Sequence, residues 1–187
     1  MSVGAFCAAL LSMASCKEDD PLRKFESNNY YNFSLKQFIL DQWTTHAGEP
    51  ISFRKIVRIN DKTDTSYTNV DVLDWRPIVK EFADADISDS ETIRRYTFSQ
   101  FDDDYTQSHN LLYKAISKKQ HTQQLLVTVD NRTGKVTGIF AETLEKTFWN
   151  EREQKLVYLP MNTIQIQQYD KPLMGSKKEM VITYQVK

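Results

Sequence analysis

Three histidines, two cysteines and several clustered carboxylates are what this chain offers to chemistry. His46, His109 and His121 stand far apart, the first at a predicted helix end and the others on predicted loops. None of their spacings is that of a zinc site, so a metal centre would need the fold to gather them with carboxylates. Asp84, Asp86, Ser88 and Asp89 place oxygen donors much as a calcium loop does. The sixth loop position, where glycine turns the chain, is here Asp89, and the twelfth, a bidentate acid, is Arg95. The stretch therefore reads as a polar helix end. Asp102-Asp103-Asp104 reads as a solvated turn, with three carboxylates able at most to hold a hard cation weakly. The five glycines are isolated, which rules out a glycine-rich phosphate loop. No Ser, Thr or Lys has a recognised nucleophile context, so no catalytic residue, cofactor site or metal ligand is assigned.

Cys16 carries the most specific signal. It closes Met13-Ala14-Ser15-Cys16, after an uncharged run in which Val3 to Met13 are mostly apolar, and before Lys17-Glu18-Asp19-Asp20. Such a run is shorter than the roughly 20 apolar residues of a spanning helix. It has the length of a secretory apolar region, typically ~7–15 residues, ending at small side chains. The order resembles a bacterial lipoprotein signal peptide. That resemblance implies removal of residues 1–15 by signal peptidase II and acylation of Cys16 as the new first residue. Met13 stands where a larger aliphatic side chain is usual, and no Lys or Arg precedes Lys17, so the family's positive leading segment is missing. A start codon further upstream or a weak signal would account for that departure. The competing reading is a buried N-terminal apolar element with Cys16 an ordinary thiol. Lys17-Glu18-Asp19-Asp20 is similar to the surface-export signal of Bacteroidota lipoproteins, against the alternative of a plain charged linker. The implied address is the outer membrane, lipid-anchored, with the cell surface ahead of the periplasmic face.

Composition bounds the rest. Past residue 15 there remain 172 residues, enough for one domain with a sizeable core. The 24 basic and 25 acidic side chains nearly cancel, so no global positive field collects nucleic acid. If Cys7 leaves with the leader and Cys16 is acylated, the mature domain has neither free thiol nor disulfide.

Residues 16–32 read as a flexible tether that ends where Tyr30, Tyr31 and Phe33 dock, and residues 33–187 as a single globular domain. Ser34 and Gln37 form a capping box, Phe33 can staple on Phe38, and Leu35, Phe38, Ile39 and Trp43 share a stripe ended by Gly48. Ile51–Ile59 alternates as a strand, 60–64 is turn material, and Ser66–Val72 can return as its hairpin partner. Asp74 caps a second helix with Pro77 in its first turn and Trp75, Ile78, Val79, Phe82 and Ile87 inward.

From Thr92 the period is two. Strands are predicted at Arg94–Phe101, Asn110–Ser117, Thr122–Val129, Val136–Leu144, Lys155–Met161, Thr163–Tyr169 and Glu179–Val186. Turns fall at 130–134, 150–154 and 170–178. Short links imply antiparallel pairing. The predicted class is α+β: two helices on one face of a strongly twisted meander of about seven to nine strands. This order, with Trp75-Arg76-Pro77-Ile78-Val79-Lys80-Glu81-Phe82-Ala83-Asp84-Ala85-Asp86-Ile87 at its centre, resembles a set of uncharacterised Bacteroidota outer-membrane lipoproteins with no assigned activity. A looser likeness, at the level of fold alone, is to the half-barrels that carry lipoproteins through the periplasm.

Trp43 and Trp75 fall on core stripes; Trp149, beside Phe148, is the best candidate for an exposed aromatic contact, though packing on the sheet is the favoured reading. Thr163-Ile164-Gln165-Ile166-Gln167 alternates a polar with an apolar face, fit for a half-buried strand, a wet cavity lining or an edge. The expected function is a membrane-anchored, non-enzymatic envelope module without a cofactor. Its partners are outer-membrane lipid through Cys16 and an envelope protein or glycan. The alternatives are an envelope hydrolase with a carboxylate site, and a half-barrel carrier of lipoproteins or apolar ligands.

Overall fold

A computed structural model of the chain describes residues 33–187, which fall in one compact unit. The segments read as leader and tether, residues 1–32 with Cys7, Cys16, Tyr30 and Tyr31, lie outside the described residues.

Helix α1 (Leu35–His46) starts where Ser34 accepts a hydrogen bond from the Gln37 N–H at 3.2 Å. Only half the predicted capping box forms, because the Gln37 amide turns forward to donate to Asp41 at 2.7 Å. Phe33 stacks against Phe38 with centroids 5.7 Å apart, the expected hydrophobic staple. Gly48, at φ +89°, turns the chain just beyond the helix, a conformation costly for any residue with a Cβ. Helix α2 (Arg76–Asp84) is shorter than predicted. Trp75 holds its N-cap position, and Asp74, one residue earlier, accepts from the Arg76 N–H at 3.2 Å. Ile78 and Phe82 are buried, and Ile87 is buried just past the helix end.

The nine strands are β1 (Ser52–Ile59), β2 (Lys62–Asn69), β3 (Tyr96–Asp103), β4 (Ser108–Ala115), β5 (Thr122–Asp130), β6 (Val136–Lys146), β7 (Asn150–Leu159), β8 (Thr163–Pro172) and β9 (Lys178–Val186). They form one antiparallel sheet in the order β2-β1-β9-β8-β7-β6-β5-β4-β3. The sheet is open. Its edges are β3 and the polar, exposed β2, whose charged and hydroxyl side chains discourage pairing with other chains. The α+β class with two helices over a meander is thus the observed architecture.

Two stretches differ from the predicted turns. The β1–β2 turn needs only Asn60 and Asp61, because Asn60 accepts the left-handed φ of +48°, and β2 therefore begins at Lys62. Residues 150–154 are not a turn but the start of β7. Their charges are satisfied across strands: Lys146 reaches Glu151 at 2.5 Å, and Lys171 reaches Glu153 at 2.5 Å and Glu151 at 3.6 Å. β3 and β4 begin respectively two residues later and two earlier than expected, which moves His109 from a loop into β4.

The core lies between the helices and one face of the sheet. Through the strand registers, Leu111, Val127, Ile139, Tyr158, Ile164 and Tyr184 stand side by side across β4 to β9, and all are buried. Phe38 of α1 and Phe82 of α2 both meet the Tyr158 ring edge-on, at 6.0 and 5.9 Å. Burial pushes the Tyr158 phenol up to about 12 from an ordinary 10.0. The folded state therefore prefers the neutral ring, so its stabilisation is full below pH ~10 and is lost as pH rises towards 12. The loss expected over that window is about 2–3 kcal/mol. Chemical denaturation at pH 8 and pH 11.5 should show that loss in the native chain. Tyr158→Phe should remove the largest single share of it, Tyr96 and Tyr184, whose phenols burial also raises, keeping the rest; an unchanged alkaline loss in that variant would refute the assignment.

The helices are tied together at one end by Asp86. Its Oδ2 accepts from the Ser34 hydroxyl at 2.8 Å and from the Lys36 N–H at 3.0 Å, and its Oδ1 from the Ser88 N–H at 2.8 Å. A carboxylate at an α-helix N-terminus also meets the positive end of the dipole. Asp86→Ala is expected to destabilise by about 2–3 kcal/mol, since it leaves donors unpaired in a half-buried site. Thermal melts of that variant beside Asp84→Ala, on the exposed neighbour, would test this; equal effects would contradict it.

Candidate functional site

Alternation of turns in an antiparallel meander sorts the loops onto two ends. The β1–β2, β4–β5, β6–β7 and β8–β9 links share one end, here termed the upper end. α1 also begins there, since Ala85 at the close of α2 accepts from the Thr122 hydroxyl at 3.0 Å, at the start of β5. Between the β1–β2 turn and the β8–β9 link lies a polar cleft of about 430 Å³. Its basic wall is Arg58, Lys171, Lys177 and Lys178, and its acids are Asp61, Asp170 and Glu179.

Strand pairing builds this cleft. The Asn60 N–H donates to the Glu179 carbonyl, and the Asn60 side-chain oxygen accepts from the Glu179 N–H, both at 2.9 Å. Arg58 donates to the Glu179 carboxylate at 2.8 Å, and Gln167 reaches the same oxygen at 3.2 Å. Asp170 sits beside Arg152 at 2.8 Å, Gln168 at 2.7 Å and Asn150 at 3.3 Å. Partial burial pushes its carboxyl up, but the hydrogen bonds from Arg152, Gln168 and Asn150 outweigh that and hold it below the usual carboxylate range. Asp170 is therefore held as an anion. Lys177 and Lys178 make no ion pair among the described residues, which leaves the basic wall with unspent charge.

A polar seam continues from this end beneath α2. Buried Gln154 accepts from the Thr143 hydroxyl at 3.1 Å and donates to Glu81 of α2 at 2.9 Å and to Gln168 at 3.3 Å. Gln154 lay within a predicted turn, so only the structure reveals that it joins helix to sheet.

At the opposite end an apolar crevice runs between α1, Trp75 and the β7–β8 turn. Trp43 and Trp75 meet there with centroids 4.5 Å apart, half-buried rather than in the deep core, and Phe53 packs edge-on to Trp75 at 5.6 Å. The Trp75 indole N–H is buried without a hydrogen-bond partner among the described residues. The crevice holds about 40 Å³ of free volume. At ~10–15 Å³ per enclosed water this is room for a few waters, not for an acyl chain.

The face of the sheet away from the helices carries its own cross-strand row: Leu112, Leu126, Phe140, Val157, Gln165 and Thr183, all half-buried. Gln165 and Gln167 point to this face while Ile164 and Ile166 are buried on the other, as the alternation predicted. β8 lies inside the sheet, so edge pairing through it is excluded.

The remaining sequence candidates are dispersed. His46 closes α1 and pairs with Glu49 at 2.9 Å, His109 meets Asp102 at 2.7 Å, and His121 lies in the β4–β5 link. Among the described residues no three His, Cys, Asp or Glu side chains gather as a metal site. Asp84 pairs with Lys80, Asp86 ties the helices, and Asp89 accepts from the Glu91 and Thr92 N–H groups. Asp103 is turned onto its own loop and accepts from the Tyr105 N–H at 2.9 Å. One expectation is overturned outright. Trp149 does not pack on the sheet: it is 67 % exposed and Phe148 is 78 % exposed, because the three-residue β6–β7 link lifts both clear of the strands.

No family model, curated protein or solved structure matches the chain.

Proposed function

We propose that this protein is a membrane-anchored cell-envelope lipoprotein whose domain is a non-enzymatic binding module. The resemblance of Met13-Ala14-Ser15-Cys16 to a lipoprotein acylation site carries the reading, and the likeness to Bacteroidota outer-membrane lipoproteins gives it an address. The upper-end cleft supports the binding half of it. Its charged walls, held in place by backbone pairing, suit a polar partner such as an envelope protein or glycan, and the half-buried row on the uncovered face offers a second contact surface.

The hydrolase alternative is less well supported, although three carboxyls do line one cleft. A general acid needs a proton affinity near working pH. Asp170 is instead shifted the other way, and Glu179 accepts from an arginine. Carriage of an apolar ligand under the helices would need far more room than the crevice offers.

Metabolic labelling with palmitate, followed by affinity purification from membranes, tests the proposal. A labelled chain that recovers an envelope protein or glycan is expected. An unlabelled chain found wholly in the soluble fraction would end it.

A further inference from the structure

We infer that the upper end of the sheet carries a lipid-contacting tip, formed by Phe148 and Trp149 with Leu173 and Met174, which dips into the interface of an anionic bilayer. These four apolar side chains are 78, 67, 63 and 84 % exposed. They belong to two different links, yet they form one feature, because the Leu173 N–H donates to the Trp149 carbonyl at 2.8 Å. Phe148 and Trp149 are further locked edge-to-face with centroids 4.7 Å apart. The aromatic pair is thus held outward by structure.

Charge selects the occupant. Lys118 and Lys119 on the β4–β5 link, and Lys177 and Lys178 at the β8–β9 link, form no ion pair among the described residues. They stand at the same end as the tip, lysines beside exposed apolar side chains, the pattern that a headgroup layer attracts. Shape agrees: the tip protrudes on two links, whereas anchors between proteins fill well-packed, desolvated pockets.

The path of the chain agrees as well. Ser34 and the start of α1 lie at this same upper end, bound to Asp86. A contact here brings the start of the domain towards the surface that holds Cys16. The inference extends the anchored reading, but it is tested with Cys16 removed, so either can fail alone.

The full chain carrying Cys16→Ser is mixed with vesicles of phosphatidylethanolamine and phosphatidylglycerol whose acyl chains are brominated. Tryptophan emission is expected to be quenched, and Trp149→Phe on the same background to remove that quenching while Trp43 and Trp75 stay bright. Leu173→Ser with Met174→Ser should raise the lipid concentration for half-maximal quenching about tenfold. Folding of each variant is checked by its far-ultraviolet circular dichroism and melting temperature. The contact is refuted if Trp149 stays unquenched, whether the chain sediments with the vesicles or remains free.

Discussion

Serine in place of Cys16 is expected to erase palmitate incorporation and to lower the outer-membrane share of the protein on the order of a hundredfold or more. A palmitoyl chain offers on the order of 10 kcal/mol from its methylenes before ordering costs, and one chain alone gives only marginal binding. A bacterial lipoprotein carries two or three, which brings attachment close to permanent. The four-residue tip cannot replace that, since it engages only the interface. The native N-terminal peptide should begin at residue 16 and carry the mass of the acyl groups. Mass spectrometry of that peptide separates the outcomes cleanly. A native peptide that runs through residue 16 with an unmodified thiol would remove the anchor, whatever the variant does.

Phe82→Ala is expected to destabilise the domain by about 3–5 kcal/mol, the usual range for truncating a fully buried phenylalanine. Phe82 is 0 % exposed and meets the Tyr158 ring, which Phe38 meets from α1. One truncation therefore opens a gap shared by both helices and the sheet, and relaxation of any single element cannot close it. Against a typical total of ~5–15 kcal/mol, the loss would threaten folding at physiological temperature. Urea unfolding should show a lower midpoint with an unchanged slope, which marks a stability change rather than a more compact denatured state. Lys80→Ala on the solvent side of the same helix should stay within about 0.5 kcal/mol. Comparable effects of the two would mean that α2 is not the clamp described.

Much of this fold was legible because local and global signals agree. Ser34, Phe33 and Phe38 mark the start of α1 by short-range chemistry, and the structure keeps that start. Period-two alternation from Tyr96 onward names the buried face of most strands. The failures share a cause. Residues 150–154 look like a turn by composition, and only lysines from two neighbouring strands make them a strand. Gln154 owes its burial to Glu81, a partner 73 residues away. The polar cleft is assembled from Arg58, Asn60, Asp170 and Glu179, which no local pattern joins. Of the tip, Phe148-Trp149 stands out in the sequence beside charged residues, whereas Leu173-Met174 between Pro172 and Gly175 reads only as part of a link. What the sequence alone could not supply was which links share an end, and that follows from strand order.

Strand order has one more consequence. β9, the last strand, sits between β1 and β8, so the first hairpin reaches the meander only through the C-terminal segment Lys178–Val186. Pairing Ile59 with Met180 closes a loop of more than a hundred residues, a slow step because its entropy is lost before its contacts form. During synthesis the side of β1 that β9 covers must wait unpaired until Lys178–Val186 has emerged. Without β9 both β1 and β8 would stand as raw edges, so this strand is what keeps the sheet from a form prone to aggregate.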